Sequence, residues 1–311
     1  MKFPWLLSVA LFCGLAGRVG AAESFHLFRS EDEGISWTKV GVGIPESGRI
    51  HALIALGTIA FAGTDDGVFA STDGGSSWSR RVIDPAASVQ CFTVAGGRLY
   101  AGTKRAGVLV IDDDGRTWHR TSGEQTNLNV RSLVSLGSVV YAGTDSQGIL
   151  RHGPGVEGWV PVNQDLPEGA QVFDLAVHGK DLFAALYSKG LYRLAANEDR
   201  WKRVGEVRPL RFWVHGHSLL AGHNPGGVYH SSDGGMTWRL ANGLTDASPT
   251  WVLGSAGANV LVGTSPETVM LSGDGGVNWS TSARGLPEGS AVVAIGSGSG
   301  YTLVGVVRSS R

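Results

Sequence analysis

Residues 71–78 read Ser-Thr-Asp-Gly-Gly-Ser-Ser-Trp, and three further segments repeat the pattern S-x-D-x-G-x-x-W in full: Ser30–Trp37 (SEDEGISW), Ser231–Trp238 (SSDGGMTW) and Ser272–Trp279 (SGDGGVNW). A fifth copy, Ile111–Trp118 (IDDDGRTW), departs only at its first position. Trp159 and Trp201 fall where the period demands, without the Asp and Gly around them. The intervals along Trp37, Trp78, Trp118, Trp159, Trp201, Trp238 and Trp279 are 41, 40, 41, 42, 37 and 41 residues. Such regularity marks a structural repeat.

Each period carries the same text upstream of its Trp. An alternating apolar strand, a Gly turn, a second strand ending near Ala-Gly-Thr, a short turn and a third strand run into the motif, as at 51–56, 59–64 and 67–72. The Trp then opens a fourth strand. Four short strands per repeat of about 40 residues, bounded by Gly, Asp and Ser, predict a propeller blade. The chain begins in mid-repeat, with Phe25-His-Leu-Phe before a motif, and stops in mid-repeat after Ala291-Val-Val-Ala-Ile and Tyr301-Thr-Leu-Val-Gly. The expected fold is therefore all-β: one seven-bladed β-propeller over 23–311, its ring closed by N-terminal strands three and four pairing with C-terminal strands one and two.

On these motifs the chain resembles the Asp-box, or BNR-repeat, propellers, a group that includes sialidases, Vps10/sortilin ectodomains, two-propeller xyloglucanases and Ycf48-like photosystem assembly factors. The resemblance covers the whole repeat region and implies a fold rather than an activity. It implies that Asp32, Asp73, Asp113, Asp233 and Asp274 cap hairpin turns between strands three and four, with Trp37, Trp78, Trp118, Trp238 and Trp279 packed beneath them. These acids are then structural. The chemistry agrees, since Asp accepts local backbone N–H bonds and Gly at the fifth position supplies a positive φ. Sialidase catalysis would need an Arg-Ile-Pro segment and an arginine triad. Here Arg49-Ile50-His51 stands in place of the first, and Arg131 and Arg211 have no third partner.

Of the 311 residues, 42% are hydrophobic and 47 are glycine, as a fold of many tight turns requires. The 26 basic and 27 acidic residues are evenly mixed, which argues against nucleic acid or an anionic membrane as partner. Residues 1–22 read as a signal peptide: Lys2, an apolar stretch from Trp5 to Ala16, and small residues Gly20-Ala21-Ala22 before Glu23. Export to the periplasm or beyond is expected, with no integral membrane segment after cleavage. Cys91 would then be the sole thiol, a small buried hydrophobe unable to form an internal disulfide.

Ligands of propellers sit at the mouth of the central channel. Aligning the innermost strands on their downstream turns places His51, Gln90, Arg131, Phe173, Leu210 and Trp251 at one equivalent position, above an apolar ring of Leu53, Phe92, Leu133, Leu175, Phe212 and Leu253. The upper ring is chemically mixed, which points to recognition rather than packing. Arg211 stands beside it, and Asp65, Asp145, Tyr187 and His223 lie on the loops between strands two and three. The candidate ligand-binding set is His51, Gln90, Arg131, Phe173, Arg211, Trp251, Tyr187 and His223, for a protein partner or a glycan. A monomeric, non-catalytic binding or scaffold protein, such as an assembly factor, is the expected function. The alternative is a carbohydrate-active hydrolase or lyase with Asp174 as its acid, paired with Asp65 or Asp145. No metal site or cofactor is expected: His215-Gly-His217 and His223 lack ligand spacing, and no phosphate loop, nucleophile elbow or dinucleotide fingerprint occurs.

Overall fold

The structure, a computed structural model, describes residues 23–309 except 82–86, 112–117, 122–126, 206, 224–225, 245–249 and 265–267. The expected leader (1–22) and Asp113 lie outside the described residues. Seven four-stranded antiparallel sheets are present, and no helix occurs among the described residues. We number the blades 1–7 by their innermost strands: Ile50–Leu56, Ser88–Ala95, Val130–Leu136, Val172–His178, Pro209–His215, Val252–Ala256 and Ala291–Gly298. Blades 1–6 are each built from consecutive strands. Blade 7 closes the ring, with Glu23–Ser30 paired along its whole length with Tyr301–Ser309, from Glu23 opposite Ser309 to Ser30 opposite Thr302.

Each blade is a meander, so the turns after strands one and three lie on one face, here the motif face. The turns after strand two lie on the other, the mouth face. The Ala-Gly-Thr at the end of the second strand follows from how blades meet. A Cβ on Gly102, Gly143 or Gly222 would sit 2.6 Å from Val130, Val172 or Thr250 of the next blade, so only a bare Cα lets the inner strands approach. The Thr that follows is fully buried in blades 1, 2 and 3, and its hydroxyl donates across the next turn, from Thr64 to the Gly67 carbonyl (3.1 Å), Thr103 to Gly107 (2.8 Å) and Thr144 to Gly148 (2.9 Å).

The intact motif turns are built alike. In blade 1, Ser71 Oγ donates to Asp73 Oδ1 (2.8 Å) and accepts from Gly75 N–H (2.8 Å), while Asp73 accepts from the Ser77 N–H (2.9 Å) and hydroxyl (2.5 Å). The same bonds recur at Asp32, Asp233 and Asp274. Gly75 has φ +89°, and a Cβ there would meet Leu303 of blade 7 at 2.6 Å, so the turn sits directly on the preceding blade. Trp78, Trp238 and Trp279 donate their indole N–H to the turn carbonyls of Gly75, Gly235 and Gly276 at 2.8, 3.1 and 3.0 Å. Trp37 instead donates to the Ser282 carbonyl of blade 6. Replacing Ser71 with Ala strands the buried Gly75 N–H and should cost about 1–2 kcal/mol, read as a lower urea midpoint at unchanged slope.

Blades 3 and 4, which lack the motif, hold their turns by other means. His152 Nδ1 donates to the Gly158 carbonyl (2.6 Å) and its ring stacks on Trp159 at 5.2 Å. In blade 4, Asp181 accepts from the Ala196 N–H (2.9 Å) and from Arg193 Nε (2.9 Å) and Nη2 (2.5 Å). Here Trp159 and Trp201 donate to the preceding blade, at Thr121 Oγ1 (2.8 Å) and the Val162 carbonyl (2.7 Å).

Candidate functional site

The upper ring owes its geometry to a β-bulge. The register between strands one and two slips between Ile50 and Ala52, Val89 and Cys91, Val130 and Ser132, Val172 and Asp174, Pro209 and Arg211, and Val292 and Ala294. The extra residue in each case is His51, Gln90, Arg131, Phe173, Leu210 or Val293. Trp251 takes the corresponding place before the sixth inner strand, its N–H bonded to the Gly263 carbonyl (3.1 Å). A bulged residue stands outside the ladder, so pairing does not dictate its side chain.

A central cavity of about 380 Å³ runs down the axis and is walled by inner strands of all seven blades. His51, Gln90, Arg131, Arg211 and Trp251 line it, above the apolar ring from Leu53 to Leu253. Phe173 does not reach the cavity. It is buried, packed on the exposed Tyr187 ring at 4.9 Å, with the Arg131 guanidinium 5.6 Å from its centroid. His223 lies against Tyr229 at 5.4 Å, away from the cavity lining. The structure thus brings five of the eight candidate ligand-binding residues around the axis and sets Phe173, Tyr187 and His223 behind or beside them.

The polar groups of the mouth are organised in pairs. His51 Nε2 lies 2.7 Å from Asp65 Oδ1, Ser88 Oγ donates to the same oxygen (3.0 Å), and Gln90 Nε2 donates to Ser88 Oγ (2.7 Å). The hydrogen bond from His51, joined by those of its neighbours, holds the Asp65 carboxyl below its ordinary value against the opposing effect of burial. Arg131 grips Asp145 through Nε and Nη2, and Asn129 Nδ2 donates to the same carboxylate (3.2 Å). The indole N–H of Trp251 has no partner among the described residues. The mouth therefore offers fixed, nearly neutral polarity and one aromatic donor.

One residue inward, Ala52, Cys91, Ser132, Asp174, Arg211, Val252 and Ala294 form a second ring, each opposite a Gly or, for Asp174, Ala185. Its polar members fall on four consecutive blades, 2–5, and the rest are small or apolar. Residue spacing alone did not single out Cys91 and Ser132 as parts of this arc. Asp174 is its centre. Oδ1 accepts from Ser132 Oγ of blade 3 (2.6 Å) and from the Leu175 N–H (3.0 Å), and Oδ2 accepts from the Phe212 N–H of blade 5 (2.8 Å). Burial raises its pKa above the ordinary carboxyl value, outweighing the pull of Arg211 and of these donors. Arg211 Nη1 donates to the Leu210 (3.1 Å) and Phe173 (3.3 Å) carbonyls. Burial pushes the Cys91 thiol up to about 12, which favours its protonated form at neutral pH. Asp65, Asp145 and Asp174 each accept hydrogen bonds from partners within the protein.

Among the described residues no group of three or more His, Cys, Asp or Glu is placed to hold a metal ion, and no helix is long and apolar enough to cross a membrane. No family model matches the chain, and no curated protein does. Solved structures do. The extracellular domain of the putative one-component system BT4673 from B. thetaiotaomicron superposes with a TM-score of 0.68 at 11% identity, over 86% of this chain and 39% of that one. The present chain thus spans well under half the length of that protein's chain. YCF48 from Cyanidioschyzon merolae gives 0.64 at 15% identity, over 86% and 97% of the two chains. A structure of YCF48 bound to D1 peptide gives 0.59 at 17% identity, over 73% and 78%. At such identities the similarity shows a shared propeller fold and nothing finer.

Proposed function

We propose that this propeller is an exported, monomeric, non-catalytic recognition protein that holds an extended segment of a protein partner at the mouth of its channel. The observation that carries this reading is the bulged ring. His51, Gln90, Arg131 and Trp251 project around one opening from positions whose side chains pairing does not constrain, and they differ in chemistry from blade to blade. A surface maintained for packing alone would repeat one residue type; a surface for a ligand presents several. The peptide-bound YCF48 structure supports the choice of a protein segment, as an example of a similarly folded protein holding a peptide. The leader-like residues 1–22 and the extracellular setting of the BT4673 domain support export. An Asp-box origin of the blades rests on the motif turns described above. The hydrolase reading is the weaker one, because Asp174 spends its oxygens on blades 3 and 5.

The test is partner capture by the immobilised protein from an extract of its source organism, with a glycan array in parallel. Replacing Arg131 and Trp251 together with Ala should abolish capture while lowering the melting temperature by only a few degrees, since the Arg131–Asp145 pair lost with it is partly exposed. Capture that survives the double substitution would place recognition elsewhere. Loss of glycan rather than protein capture would reassign the ligand.

A further inference from the structure

Three arginines occupy the same position on third strands. Arg29, Arg151 and Arg193 stand opposite Leu303, Tyr141 and Phe183 of the neighbouring second strands. In blades 7 and 4 the motif turn of the following blade closes over the pair. Arg29 Nη1 reaches Ser76 Oγ (3.1 Å) and the Gly74 carbonyl (3.5 Å) of blade 1, and Gly75 leaves no room beside Leu303. Arg193 Nη1 meets Met236 Sδ of blade 5 (3.4 Å), Gly235 abuts Phe183, and Asp181 neutralises the charge.

Blade 3 is different. The blade that follows it, blade 4, has lost the motif, so no Gly-Gly turn lies over Tyr141. Where Asp181 stands in blade 4, two residues before the aromatic ring, blade 3 has Val139. Arg151 consequently has neither lid nor counter-ion, and its Nε is buried without a hydrogen-bond partner among the described residues. A cavity of about 700 Å³ opens here, larger than the axial one, with Leu136, Tyr141, Leu182 and Leu194 as its apolar lining and Arg151 and Lys180 as its cations. The Lys180 ammonium also has no partner among the described residues. The acids at the edge are already engaged, Asp165 with Arg200 (3.0 Å) and Glu198 with Lys202 (2.5 Å), which leaves Asp199 exposed at the rim.

We propose that this cleft between blades 3 and 4 binds a small molecule that carries a carboxylate on a ring, Arg151 and Lys180 meeting the carboxylate and Tyr141 the ring. Arg151 and Lys180 both line the cavity with no acceptor among the described residues, and a carboxylate matches the arginine fork. The apolar lining and the aromatic ring suit a sugar or aromatic body. The volume falls within the roughly 300–1,000 Å³ of small-molecule sites. The carboxylates along the rim disfavour a doubly charged anion such as phosphate. This site is separate from the mouth and stands or falls without it.

The probes are 4-hydroxybenzoate and D-galacturonate, each set against its uncharged counterpart, phenol or D-galactose, and titrated by NMR and calorimetry. At least one acid should bind about tenfold or more tightly than its counterpart, and which acid does so identifies the ring. Lys180→Glu reverses a cation, and Ala196→Trp fills the cleft from an exposed position while keeping the backbone bond to Asp181. Each should weaken binding by about tenfold or more, whereas Trp251→Ala at the mouth should leave it unchanged. The proposal is overturned if neither acid binds, if charged and uncharged probes bind alike, or if binding survives Ala196→Trp.

Discussion

Deleting residues 23–40 should abolish cooperative unfolding altogether. The segment supplies strands three and four of blade 7, and its Phe25, Leu27, Phe28 and Trp37 are all buried. Truncating one buried Phe or Trp to Ala costs about 3–5 kcal/mol, so removing three such aromatic side chains together with a Leu matches or exceeds the roughly 5–15 kcal/mol that holds an ordinary domain folded. The damage would not stay local. Tyr301–Ser309 would lose its partner along its whole length and become a long, apolar, unpaired edge with Leu303, Val304, Val306 and Val307 uncovered. The loss would also open the contacts between blades 7 and 1. Circular dichroism should show no sharp thermal transition, and gel filtration should show association. A deleted protein that melts as sharply and as high as the full chain would mean that blades 1–6 hold the circle unaided.

Replacing Asp174 with Ala should cost about 3 kcal/mol, because the carboxylate ties three blades together, accepting from Ser132 of blade 3 and from the Phe212 N–H of blade 5. Its loss leaves the Phe212 N–H without its acceptor and frees the Ser132 hydroxyl. In a domain of this size that lowers the melting temperature by roughly 5–10 °C. Asn is no remedy, since its amide would turn a donor toward either the Phe212 N–H or the Ser132 and Leu175 donors. The pH dependence gives an independent signature. With its pKa raised in the folded protein, Asp174 contributes its full stabilisation below the ordinary carboxyl value and loses part of it as pH rises through the folded value. The gap between wild type and Asp174→Ala should therefore be widest near pH 3 and narrow upward. A gap independent of pH would show that the folded protein does not perturb this carboxyl.

Both proteins share a second, opposite trend. Hydrogen bonds from the turn residues, the Ser36 hydroxyl and N–H for Asp32, the Ser77 hydroxyl and N–H for Asp73 and the Asn278 N–H for Asp274, lower those carboxyls to about 2, and the Thr237 hydroxyl and N–H lower Asp233 in the same direction. The stability these contribute is present above pH 4 and is lost as pH falls toward 2.

The blades were legible because the signal for them is local. A turn that needs Ser, Asp, Gly and Trp at fixed offsets writes itself into eight residues and recurs, and the ends of the chain then dictate how the ring closes. The mouth was legible in part. Alignment on the downstream turns put His51, Gln90, Arg131 and Trp251 at one level, and these do line the axis. The same alignment put Phe173 there, but whether a bulged side chain faces the axis or folds back onto Tyr187 depends on contacts between elements that spacing does not encode. The roles of Ser132 and Asp174 lay further out of reach, since their bond joins residues 42 positions apart on two blades. The decay of the motif around Trp159 and Trp201 was plain in the text. What it uncovers, the Tyr141–Arg151 pair, becomes visible only when the register of blade 3 is known.

The closing seam has a mechanical consequence. Glu23 and Ser309 stand opposite each other at one end of an antiparallel pair, with the bonds of the seam stacked behind them as far as Ser30 and Thr302. A load pulling the two ends apart would meet those bonds one after another, as in a zipper, and not all together in shear.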